Sequence, residues 1–397
     1  MTGERFARSV VISGFARSDV GRRLNRESLD LTIDACLDAV ADAGLTPGDI
    51  DGLVTWPGEL TGAMTGFGNP GVNAVQDALS LNLEWYATGA SEGFNVLGSF
   101  IDGCMAVATG LARHVLVYRT VTEATYQGRR RRAASVGGDR ERSGSWTQWL
   151  APYGAASAAN WAALQAQRHF HVYGTTEQQL GAIAVQMRRH AALNPDAIYR
   201  DPMSLDDYLA ARVISTPLRL FDCDVPADGA HAFVLSHADY APDAPHPVRV
   251  DAVAASRHGT GSWVFRDDMT TMAAHDTAAR LWHETDLRPQ NVDLVQLYDG
   301  FSIFPLLWLE ALGFCEPGES GAFVEGGQRI AIDGDLPMNT AGGQLSEGRY
   351  LGWGLLHEAC VQLRREAGGR QVADANVALV AGGGGNVAQS LLLTRHG

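Results

Sequence analysis

Two phenols beside glycine-rich turns are the side chains best suited by type and spacing to move protons. Tyr350 lies in the polar run NTAGGQLSEGRYLGWG, residues 339–354, and Tyr298 ends the apolar run VDLVQLY just before Asp299-Gly300. Between Asn339 and Tyr350, Gly342, Gly343 and Gly348 permit backbone angles that a side chain forbids, so N–H groups there can be aimed at a ligand. Apolar positions 351, 355, 356, 359, 360 and 363 follow a 3.6-residue period and predict a helix over about 350–367. Tyr350 would then occupy the first helical turn, where unpaired N–H groups and the helix dipole favour negative charge and ease ionisation of a phenol. The same residues also read as a plain glycine-rich connection carrying a half-buried tyrosine that satisfies one hydrogen bond. Asp299 forms turns as readily as it would orient the neighbouring phenol.

The elements around these residues alternate strand and helix, which implies a layered α/β fold. Strands are expected at 8–15, 52–55 and 114–118, and helices at 29–44 and from the glycine turn at 89–93 to about 109. The carboxyl part repeats the plan with VRVDAVAAS, a helix over 270–284, a strand over 292–298 and VALVAGGGG. Leu45, Pro47, Ile50 and Asp51 recur as Leu287, Pro289, Val292 and Asp293 at a constant offset of 242, each set between a helix and a strand. Such recurrence points to an internal repeat. The expected halves are 1–245 and 246–397, with an insertion over roughly 120–245 whose loop and helical part covers about 120–220. In open α/β sheets ligands gather beyond the carboxyl ends of strands, where Tyr298 falls.

Within the insertion, GRRRR at 128–132 reads as a solvated loop; its alternative is a contact to the 3′-phosphate of a nucleotide-bearing substrate. Helices follow at 155–173 and 177–193, the second capped by Thr175 or Thr176. His169, His171 and His190 are too dispersed for a metal set, and Asp222, Asp224 and Asp228 lack the glutamate of a calcium loop. No metal site is expected in this chain.

The composition of the 397 residues, 46% apolar and 19% charged, is that of a globular protein, and a net charge of −14 excludes general affinity for nucleic acid or anionic membranes. No run of about 18 apolar residues and no apolar signal core occur, which reads as a cytoplasmic protein. The cysteines at 36, 104, 223, 315 and 360 form neither a disulfide framework nor a CxxC pair.

The blocks DAGLTPGDIDGL, APYGAASAANWAALQAQRHFHVYGTTEQQL, RDPMSLDDYLAARVISTPLRLFDCDVPADGA, QLYDGF, NTAGGQLSEGRYLGWG and VALVAGGGG together resemble the thiolase superfamily, in its sterol-carrier or lipid-transfer-protein branch. The resemblance implies the thiolase fold, two similar halves in a five-layered αβαβα arrangement, a homodimer, and an acyl-CoA ligand. Departures from the family pattern carry more information. Gly89 stands at or next to the position of the nucleophilic cysteine, Tyr350 about where the histidine of the GHP turn belongs, Tyr298 at the other His or Asn, and Ala381 roughly at the last cysteine.

Without a thiolate no acyl-enzyme forms, and Ser91 has no evident histidine to activate it. Two phenols facing one thioester suit a retro-aldol reaction, with the enolate oxygen held by backbone N–H groups near Gly342, Gly343 or Gly383. The pattern is similar to that of the steroid side-chain-cleaving aldolases. It implies that a 17-hydroxy steroid C20-carboxyl-CoA is split into a 17-ketosteroid and propionyl-CoA, with Tyr298 and Tyr350 as the acid/base pair. It also implies a zinc-ribbon/OB-fold partner that carries the only zinc of an α2β2 complex. Two alternatives remain at this stage: a non-catalytic acyl-CoA-binding scaffold subunit, and an acyltransferase with a displaced nucleophile such as Cys104.

Overall fold

A computed structural model describes residues 6–58, 66–89, 96–127, 148–155, 157–241, 244, 246–257 and 264–395. Ser91 and the basic run at 128–132 lie outside the described residues. Nine strands form one sheet: β1 (Val10–Arg17), β2 (Gly52–Thr55), β3 (Trp85–Thr88), β4 (His114–Thr122), β5 (Asp228–His237), β6 (Val248–Arg257), β7 (Leu294–Leu297), β8 (Val377–Gly384) and β9 (Val387–Arg395). Their order is β3-β2-β4-β5-β1-β6-β9-β8-β7. Read outward from the centre, both sides follow one plan. The strands β1, β5, β4 and β2 are matched by β6, β9, β8 and β7, with two antiparallel pairings followed by a parallel one on each side. The two sets meet where β1 and β6 pair, Val11 against Arg249 and Ile12 against Val248.

The recurrent Pro and Asp explain themselves locally. Pro47–Asp49 and Pro289–Asn291 are single 3-10 turns in which proline sits first, where a missing N–H costs nothing. Asp51 then accepts hydrogen bonds from the N–H groups of Arg113 and His114 at the start of β4, and Asp293 does the same for Asn376 and Val377 at the start of β8. Each carboxylate ties one parallel strand to its neighbour.

Helix α1 (Ser28–Asp42) turns Leu31, Ala35, Cys36, Ala39 and Val40 onto one face of the first strand set. It approaches closely because residue 14 of β1 is glycine; a Cβ there would strike the Ala39 carbonyl oxygen and Ala43. Helix α2 (Gly98–Ala108) covers the opposite face, and α2 also reaches the second set, where Leu97 lies against Gly382. Among the helices that follow are α3 (Ala158–Tyr173), α4 (Glu177–Ala192) and α5 (Ala273–His283), the last packed on β6 and β9. A short α6 (Gly343–Ser346) leads to α7 (Trp353–Arg364), which lies between the sets: Trp353 donates to Val96 O at 2.8 Å and packs on Phe233 of β5.

Two boundaries differ from the sequence reading. The insertion is shorter, because β4 continues to Thr122 and residues 228–237 form a central strand whose alternate side chains are buried on both faces. The helix after the glycine run starts at Trp353 and ends at Arg364.

Candidate active site

Strand β7 delivers Tyr298 to the sheet's carboxyl edge, and the backbone fixes it there. Tyr298 N donates to Ala381 O at 3.0 Å, while Asn339 closes a two-bond ring on the preceding residue: Leu297 N donates to its Oδ1 at 2.7 Å, and its Nδ2 donates to Leu297 O at 2.8 Å. Asn339 adopts φ 50°, a left-handed conformation that asparagine tolerates better than most residues. It is a clamp on Tyr298.

Asp299 is fully buried and caps α6, accepting from Gln344 N at 2.8 Å and Leu345 N at 3.4 Å. Burial pushes its carboxyl up to about 7 against the pull of those N–H groups. Of the two roles left open for Asp299, the structure supplies the turn-forming one. Gly343 is required here, since a Cβ would collide with Asp299 Oδ2. The Gly342 N–H is bonded to Asn339 O, so it is not aimed at a ligand. Gly383 lies inside β8, in register with Ala388, and not in a free turn. Gly89 donates its N–H to Thr55 O and rests against Trp56. These glycines therefore shape the backbone around the phenols, and the N–H groups of Gly342 and Gly89 are engaged within it.

Tyr350 precedes α7 by three residues, its carbonyl accepting from Trp353 N, so the helix terminus gives it no help. Burial raises its phenol far above the ordinary value, and nearby Glu347 raises it further. The expectation of an easily ionised Tyr350 is thereby overturned. Its hydroxyl is buried without a hydrogen-bond partner among the described residues. The turn before it is pinned by Arg349, whose guanidinium pairs with Glu123 and, at 3.3 Å, with Asp224. Tyr298 is likewise raised by burial and by Asp224, whereas Gln344 and Arg119 favour its ionised form.

Three charged or titratable residues that the sequence reading did not select cross the sheet in one row. His231 of β5 is in register with Arg119 of β4 and with Arg17 of β1. Directly opposed residues of antiparallel strands project to the same face. The His231 ring lies 4.9 Å from that of Tyr350, both its nitrogens lack hydrogen-bond partners, and burial pushes it down to about 3, so it is neutral. Arg17 reaches Glu347 at 3.7 Å; burial pushes Glu347 up to about 8. The signal for this row was a charge or imidazole inside otherwise apolar strands, HVLVYRTV and DGAHAFVLS.

The thiols stand apart from this chemistry. Cys104 and Cys360 are buried in α2 and α7 with their ionisation opposed by burial, and Cys223 Sγ contacts Arg219 O at 3.6 Å. His169 is held by Thr175 and Glu310, and His190 lies at Gln186 and Asn339 O. No group of three metal-ligating side chains occurs among the described residues, and none of their helices is long and apolar enough to cross a membrane.

Comparison with known proteins gives this arrangement relatives. Residues 255–394 match the family described as thiolase C-terminal domain-like. The chain is 33% identical over 395 residues to a steroid side-chain-cleaving aldolase of Thermomonospora curvata, covering 97% of each. It is also 33% identical over 359 residues to a 17-hydroxy-3-oxo-4-pregnene-20-carboxyl-CoA lyase of Mycobacterium tuberculosis, covering 89% of this chain and 91% of that one. Among solved structures it superposes on the Ltp2-ChsH2(DUF35) aldolase with a TM-score of 0.87 at 31% identity, covering 98% of both chains.

Proposed function

The chain belongs to the thiolase superfamily, in the branch of the steroid side-chain-cleaving aldolases, and from that premise we propose that it cleaves a β-hydroxy acyl-CoA by a retro-aldol reaction. The substrate is a 17-hydroxy steroid bearing a C20-carboxyl-CoA thioester; the products are a 17-ketosteroid and propionyl-CoA. A base removes the C17 hydroxyl proton, and the oxygen's electron pair forms the ketone. The C17–C20 bond breaks, and its pair passes into the thioester as an enolate, which an acid protonates at C20. Nothing is oxidised or reduced and no covalent enzyme intermediate is needed.

The observation that carries this reading is the two buried phenols, Tyr298 and Tyr350, with buried Arg119 and His231 on neighbouring strands and with helix-core thiols whose ionisation burial opposes. Tyr298 and Tyr350 are the proton-transfer pair, and Asn339 positions the first of them. Both phenols are raised in the free protein, so ionisation has to be drawn out by the substrate and by charges such as Arg119.

The solved neighbour pairs Ltp2 with ChsH2(DUF35), which supports assembly of this chain with a partner of that kind. A homodimer of this chain carrying two copies of a zinc-ribbon/OB-fold partner, α2β2, is the assembly proposed, and zinc belongs to the partner. The test is to co-express the two, supply the steroid acyl-CoA and measure ketone and propionyl-CoA. Release of both products in equal amounts is expected; tight thioester binding without cleavage would leave a scaffold role in its place.

A further inference from the structure

Arg119 leaves half of its guanidinium without a hydrogen-bond partner among the described residues. It is 1% exposed, and Nη1 donates to Trp56 O at 3.0 Å and to Asn69 Oδ1 at 2.9 Å. Nε and Nη2, the edge that grips one or two oxygens in a fixed plane, have no partner. The group is held rigidly. Its carbon lies 5.2 Å from the centre of the Trp56 ring, and Asn69 is itself fixed by Thr120 N, Thr55 Oγ1 and Trp56 O. No carboxylate of the described residues forms an ion pair with it, whereas Arg349 is saturated by Glu123 and Asp224.

A desolvated cation with a free donor edge is costly unless an anion arrives. In the reaction above the acyl group is neutral at its carbonyl in the ground state and acquires a full charge on that oxygen as the C–C bond breaks. Charge that appears only at this point is what a preorganised cation stabilises selectively. The position also fits: Arg119 is within electrostatic reach of Tyr298, and its opposite number His231 touches Tyr350. The Gly342 N–H, one of the backbone donors expected from the sequence, does not compete for the role, because it is bonded within its own turn.

We propose that the free Nε/Nη2 edge of Arg119 receives the thioester oxygen and carries its charge in the enolate. This rests on the retro-aldol reading. Arg119 stays protonated throughout; no proton or bond passes through it, and His231 remains a neutral neighbour of the acid/base pair.

The test separates the receptor from the reaction. The chain, co-purified with its partner, is titrated calorimetrically with carboxymethyl-CoA, whose carboxylate has the charge of the enolate, and with its neutral amide, carbamoylmethyl-CoA. Steroid cleavage is measured on the same preparations. The wild type should favour the carboxylate by about tenfold or more, and Arg119→Gln should erase that preference and cut kcat by about 10²–10³ with little change in affinity for the amide. Arg119→Lys keeps the charge without the planar edge, and its preference and kcat should fall together; it carries the test if Arg119→Gln does not fold. Equal binding of the two ligands by the wild type overturns the proposal, as does cleavage by Arg119→Gln within tenfold of wild type. An Arg119-dependent carboxylate preference in a protein that cleaves no steroid thioester would instead overturn the retro-aldol reading and leave the receptor standing.

Discussion

Asn339 satisfies both backbone polar groups of Leu297, the residue immediately before Tyr298. One side chain thus sets the register of the end of β7 and, through it, the position of a phenol. Asn339→Ala leaves two buried backbone groups without partners, each costing about 1–3 kcal/mol. Chemical denaturation should show that loss, and kcat should fall more than the affinity for acyl-CoA because the phenol is displaced and the ligand contacts remain. A variant with full stability and unchanged kcat would remove Asn339 from the positioning role.

Tyr350→Phe separates stability from catalysis. The hydroxyl it deletes is buried without a partner, so the fold loses no hydrogen bond and the melting temperature should hold or rise. Cleavage should drop by about 10²–10⁴, the range for loss of a general acid or base, and Tyr298→Phe should do likewise. Undiminished turnover in either variant would move the proton transfer elsewhere.

Stability should fall as pH rises from about 6.5 to about 8, owing in part to Glu347. Its folded value, about 8, lies above the ordinary glutamate value of 4.5, so the folded chain holds a proton that the unfolded chain has released. That stabilisation is complete below the unfolded value and is lost as pH climbs through the folded one. Between pH 4.5 and 6.5 the neutral buried His231 and His357, held below their usual value, oppose the trend, because the unfolded chain protonates them first. Above 6.5 the histidine effect fades as the unfolded imidazoles lose their protons, and the carboxyl effect dominates. Glu347→Gln should flatten the decline by ~2 kcal/mol over that interval, read from urea midpoints at several pH values; an unaltered slope would place the proton on another group.

Cys104→Ala tests the displaced-nucleophile alternative. With the thiol in the core of α2 and its ionisation opposed by burial, the variant should retain wild-type cleavage, and intact-mass measurement of the wild type during turnover should detect no acyl adduct. An adduct on Cys104 would revive acyl transfer.

Much of the framework was legible because it depends on short-range patterns. The offset of 242 between Asp51 and Asp293 reported two carboxylates that fasten neighbouring strands in the same way. Strand β2, helix α4 and its Thr176 cap follow from alternation and capping chemistry. The placement of Tyr298 at a strand end and of Tyr350 ahead of a helix was recognisable from their neighbours in sequence. What local pattern could not give was the environment of Tyr350: Leu351 and Gly352 take left-handed angles and delay the helix, so the dipole argument fails. Nor could it show that Arg119, His231 and Arg17 form a row, because their register depends on three strands separated by more than a hundred residues. Gly342 and Gly343 looked like ligand-facing donors; their openness is used instead to admit Ala191 and the Asp299 carboxylate.

The strand pairs that join β1 to β6 have a kinetic corollary. Arg119 and His231 are carried by one strand set and Tyr298 by the other, with Tyr350 in the connection ahead of α7, so the reacting geometry is a dimension spanning a joint. During refolding each set can complete its own ladder while the enzyme is still inert. Recovery of activity then times the docking event itself, and should lag the return of secondary structure.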